Sequence, residues 1–127
     1  MRYTDDDALP EVTDQMLLAA RPALRPYTLV ILKAGPRYEP LGSNPDWSKG
    51  VGKIIWQHGK RNLAMRLAGL MPIVCPVFDD TEVKGIGIFD ANLEDADRAM
   101  AADPGVRAGV FTYELHPTRS FSGSALA

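Results

Sequence analysis

The chain has 127 residues, 46% of them hydrophobic and 24% charged, with a formal net charge of −2. Those values describe one globular domain with its own core and exclude a disordered chain. The charge disfavours a nucleic-acid partner, which needs a concentrated basic face, and the lone Cys75 excludes an intrachain disulfide.

In chain order, residues 1–26 read as an extension. Asp5-Asp6-Asp7 is acidic and polar, the opposite of a secretion signal. Pro10 to Ala20 predicts a short helix whose Met16, Leu17 and Leu18 must dock on something, with Pro22 and Pro26 at its exit. Tyr27 to Lys33 is the clearest strand, and its two faces, Tyr27/Leu29/Ile31 and Thr28/Val30/Leu32, are both largely apolar, so both need cover. A loop from 34 to about 49 follows, with Arg37, Tyr38 and Trp47 as contact candidates; a ligand lid and a structural packing of Trp47 on the core fit it equally.

From Gly50 to Ala68 the apolar period becomes that of a helix. Val51, Ile54, Ile55, His58, Asn62 and Met65 share one face, while Trp56, Leu63 and Leu67 form a second stripe, so this helix should touch two things. Gly59 inside it predicts close packing or a backbone approach, and Gly69 a C-terminal cap. Met71 to Val77 is a strand that Pro72 and Pro76 confine to a sheet edge. After the polar turn 79–82, Val83 to Phe89 is its hairpin partner, with Gly85 and Gly87 contributing little side-chain volume. Asn92 caps a helix running to Ala102. Asp103 to Gly109 then forms a hinge into a last strand that carries Phe111, Tyr113 and Leu115 on one side and ends at His116-Pro117. The tail 118–127 is ordered only if docked.

The order βαββαβ predicts an α+β, ferredoxin-like domain over residues 27–117: a four-stranded antiparallel sheet with both helices on one face. The uncovered apolar face is best closed by a second copy, giving a homodimeric α/β barrel joined through its sheet faces. No apolar run approaches the roughly 20 residues of a membrane span, so a soluble, cytoplasmic protein is expected.

Few residues carry chemistry. No Walker loop, CxxC, HExxH or nucleophile elbow is present, and no histidine, thiol and carboxylate spacing suits a metal, so no cofactor is expected. His58 stands mid-helix on an apolar stripe with Asn62 one turn on; by itself such a histidine is more often a core residue than a catalytic one. Asp103 alone reads as a helix-end or turn residue, His116 as a surface residue, and Cys75 as a small buried hydrophobe.

The segment Asp103-Pro104-Gly105-Val106-Arg107-Ala108-Gly109-Val110-Phe111 resembles the motif of the YCII-related (YciI-like) family of dimeric α/β-barrel proteins. Glu114-Leu115-His116-Pro117 and the ten-residue interval from His58 to Gly69 are also similar to it. Two positions depart: Cys75 stands for the glycine of the family's Gly-Pro, and Ile55 for an arginine three residues before the histidine. The resemblance covers about Tyr27 to Pro117 and implies a catalytic His58–Asp103 dyad, in which the carboxylate fixes the imidazole tautomer and strengthens it as a base. It further implies lyase-type acid–base work, such as dehydrochlorination, on a small aromatic or enolisable molecule, without a cofactor. Asn62, Tyr38 and Tyr113 are substrate-contact candidates by position. A non-catalytic small-ligand-binding homodimer of the same fold is the alternative, and an oxygenase or isomerase of the wider barrel class a third.

Overall fold

The computed structural model describes residues 9–21, 24–121, 123, 124 and 126; the acidic run 5–7 and Pro22 lie outside them. Among these residues the order is α1 (Asp14–Ala20), β1 (Leu24–Ala34), α2 (Gly50–Leu67), β2 (Ile73–Pro76), β3 (Val83–Phe89), α3 (Leu93–Ala101), α4 (Pro104–Arg107) and β4 (Phe111–Phe121). The four strands form one open sheet in the order β2-β3-β1-β4, every neighbouring pair antiparallel. This is an α+β architecture compatible with a ferredoxin-like fold.

The two long strands set its frame. β1 and β4 pair over their full lengths, from Leu24 opposite Phe121 to Ala34 opposite Phe111. Both therefore run beyond the 27–117 limits that the prolines suggest. Pro117 is tolerated because β4 is an edge strand. Pro26 is tolerated because β3 pairs with β1 only from Thr28 onward, so nothing on that side asks for its missing N–H. β2 lies at the opposite edge, where Pro72 and Pro76 direct it.

Alternation divides the sheet into two faces. Thr28, Val30 and Leu32 are buried with Met65 of α2, Ala96 and Met100 of α3, Phe89, Val110 and Phe111. The buried Thr28 hydroxyl donates to the Ala91 carbonyl at 2.8 Å. On the other face Leu29, Ile31, Ile73, Ile86 and Ile88 are half-buried or exposed. Lys33, Glu114 and His116 lie beside them, with Lys33 paired to Glu114.

Caps account for the helix limits. Gly69 stands just past α2 with φ +77°; its N–H donates to the Arg66 carbonyl, and that of Leu70 to Met65, a Schellman closure. Asn92 caps α3 by accepting from the Asp95 N–H at 2.8 Å. Four expectations change. α1 buries no residue, with Met16, Leu17 and Leu18 all more than half exposed, and the Trp56/Leu63/Leu67 stripe of α2 is likewise open. Trp47 stacks on Trp56, with ring centroids 5.6 Å apart, rather than on the core. A Cβ on Gly59 would meet nothing within 4 Å, so that glycine marks open space and not close packing.

A candidate active site between the sheet and the second helix

Asp103 is positioned by the turn that it starts. Pro104 occupies the first position of α4, where its missing N–H costs nothing. The Asp103 carboxylate caps that turn, accepting from the N–H of Gly105 at 2.9 Å and of Val106 at 3.2 Å. Gly109, at φ +77°, closes it: the N–H of Gly109 donates to Val106 and that of Val110 to Gly105. A side chain at Gly105 would have to push its neighbours aside, since a Cβ would stand 2.5 Å from Phe111 Cδ2 and 3.0 Å from Asp103 Oδ2. The sequence hinge is therefore a built one-turn helix that fixes a fully buried carboxylate.

That carboxylate meets His58. Nδ1 of His58 lies 2.8 Å from Asp103 Oδ1 and 2.9 Å from Oδ2, with the residue buried and its ring resting against Phe111 at 4.8 Å between centroids. Burial pushes the Asp103 carboxyl upward, but the hydrogen bond and charge of His58, then the N–H groups of Val106 and Gly105, outweigh it and hold it below its ordinary value. An ionised Asp103 only accepts, so the proton between them belongs to Nδ1 and the Nε2 lone pair is left on the other side of the ring. Asn62 Nδ2 stands 3.1 Å from Nε2 and can donate to it. Arg61 adds charge behind the pair: its Nη1 is buried without a hydrogen-bond partner, 3.8 Å from Asp103 Oδ1.

The other side of His58 opens on a cavity of about 410 Å³. On its floor Gly85 and Gly87 oppose Leu32 and Val30 on the face toward α2. Gly87 lets Met71 pack against β3, since a Cβ there would stand 2.7 Å from its sulfur. One face of α2, with Ile55, His58, Gly59, Asn62, Leu63 and Arg66 spaced three and four residues apart, forms the roof. Met71, Val74 and Met100 supply apolar wall, and Lys84 of β3 joins Arg66 as a charged lining group.

His58, Asp103 and Asn62 therefore come together as a line of hydrogen bonds ending in the cavity. Tyr38 and Tyr113 do not line it. Tyr113 belongs to β4, at the sheet edge away from β2 and β3, and donates to Asp97 Oδ1 of α3 at 2.5 Å. With burial leading and Asp97 adding to it, the phenol is pushed up to about 12. Tyr38 packs on Phe111 and lies under Lys84, whose Nζ is 4.9 Å from its ring centroid. Arg66 and Lys84 were not among the sequence candidates. Arg66 was legible in principle, since 58, 62 and 66 repeat at i, i+4 and i+8. Cys75 is half-buried in β2 and reaches the cavity, while His116 is exposed and bonds Glu114.

Among the described residues no group of three or more histidine, cysteine, aspartate or glutamate side chains is placed to hold a metal, and no helix is long and apolar enough to cross a membrane. No family model matches the chain, and no curated protein matches it.

Proposed function

We propose that the protein is a cofactor-independent acid–base enzyme of lyase type, working on a small molecule held in the cavity under α2. The reading is carried by one observation: a buried imidazole takes a carboxylate on Nδ1 and turns Nε2 toward a ligand-sized space. Asp103 orients the ring and stabilises the imidazolium that forms. Nε2 takes a proton from an acidic C–H or O–H of the substrate and returns it to the product or leaving group. Asn62 donates to Nε2 in the resting state; when the ring is protonated, rotation of its amide offers the oxygen instead.

We also propose YCII-related membership and a homodimer joined through the open sheet face, closing the two sheets into a barrel. The support is the contiguous apolar surface of Leu29, Ile31, Ile73, Ile86 and Ile88 with a polar rim at Lys33, Glu114 and His116. Ile55 and Cys75 still depart from the family motif.

A direct test incubates the protein with small enolisable and phenolic compounds in D2O and follows deuterium uptake by NMR. Uptake that His58→Gln abolishes supports the reading; uptake unchanged in that variant rejects it. One feature favours the alternative of a non-catalytic binding module: with Asn62 on Nε2 and Asp103 on Nδ1, both ring nitrogens are already satisfied. In that case ligand binding persists with no proton exchange.

A further inference from the structure

The cavity has a chemical bias that the dyad alone does not explain. Its charged lining side chains are Arg66 and Lys84, and no aspartate or glutamate lines it. Asp103 sits behind His58, its oxygens engaged by the ring and by two backbone N–H groups. Among the described residues neither Arg66 nor Lys84 is in an ion pair, although seven other basic side chains are. Lys84 is instead supported by the face of Tyr38, which holds an ammonium without using its N–H groups. The chain as a whole carries −2, so a cationic cavity is not the local sample of a basic protein.

We infer that the ligand is a small organic acid, bound as its carboxylate. The carboxylate is recognised by Arg66 of α2 and Lys84 of β3. An apolar body fills the space between Val30, Leu32, Met71 and Met100, with its reactive hydrogen toward His58 Nε2. A guanidinium and an ammonium both bind a carboxylate with charge-assisted hydrogen bonds. A cavity of about 410 Å³ lies in the range that takes small-molecule ligands. The inference rests on the proposed use of this cavity, but it concerns Arg66 and Lys84 rather than the dyad.

The test is titration calorimetry with matched pairs: benzoate and benzamide, phenylacetate and phenylacetamide, 2-furoate and 2-furamide. At least one carboxylate should bind ~10-fold or more tightly than its amide, the scale of one charge-assisted contact. Arg66→Met and Lys84→Met should each reduce that preference while the circular dichroism and melting temperature stay those of the parent. His116→Gln, at an exposed residue outside the cavity, should leave the preference in place. Equal binding of acid and amide, no binding by any carboxylate of the set, or a preference that survives both cation substitutions would overturn the inference. Carboxylate preference without proton exchange would retain this inference and reject the dyad; exchange on a neutral compound with no carboxylate preference would do the reverse.

Discussion

His58 and Asp103, 45 residues apart in the chain, are joined by both carboxylate oxygens at 2.8 and 2.9 Å from a single ring nitrogen. The same carboxylate caps the turn that follows it. One side chain thus ties helix packing to the state of the imidazole, and its replacement should register in both.

Asp103→Asn keeps an oxygen for the N–H groups of Gly105 and Val106 but offers His58 an N–H where it needs an acceptor. The proton then moves to Nε2. Proton transfer should fall by about 10²–10⁴-fold, with a melting temperature close to the parent's. Asp103→Ala also removes the cap and strands a buried imidazole, and should cost about 2–4 kcal/mol in urea unfolding.

The acid limb of stability follows from the depressed carboxyl of Asp103. Its contribution is complete above the ordinary value of 3.8 and is lost as pH falls through the lower folded value. Melting temperature should hold down to about pH 4 and drop below it. The drop should be shallower in Asp103→Asn, as scanning calorimetry from pH 2 to 7 would record.

Much of the frame was legible because proline and glycine punctuate it. β3 matches its expected span, β2 falls at an edge as its prolines require, and Gly69 and Asn92 cap the helices assigned to them. α4 was missed because four residues have no period and Pro104 can end one helix or begin another. The ends of β1 and β4 were missed for a similar reason: Pro26 and Pro117 read as breakers until the pairing shows each beside an unpaired edge. His58 with Asn62 followed from helical spacing. Lys84 could not, because a strand residue joins a cavity only through the wall it faces. Tyr113 lies outside this cavity because β4 takes the far edge, which nothing local in the sequence says.

Gly59 and Gly105 should respond oppositely to a methyl group. Gly59→Ala meets no atom within 4 Å inside a helix and should stabilise by up to about 1 kcal/mol. Gly105→Ala drives a Cβ against Phe111 and Asp103 and should destabilise by about 1–3 kcal/mol, loosening the His58 contact as well. Thermal melts of the two variants beside the parent decide both.

The proposed dimer gives a third mutational expectation. Ile31 lies mid-strand on the open face, opposite Ile86 of β3. Ile31→Glu should convert a dimer at micromolar concentration into a folded monomer in sedimentation velocity. A monomeric parent protein would reject the barrel.

The proposed proton transfer depends on which nitrogen of His58 carries the proton, Nδ1 facing Asp103 or Nε2. Long-range ¹H–¹⁵N NMR of the imidazole, on parent and Asp103→Asn protein, reads this directly. The geometry predicts hydrogen on Nδ1 in the parent at neutral pH, protected from exchange, and its loss from Nδ1 in the variant. A parent ring with hydrogen on Nε2 alone, unchanged by the substitution, would contradict it.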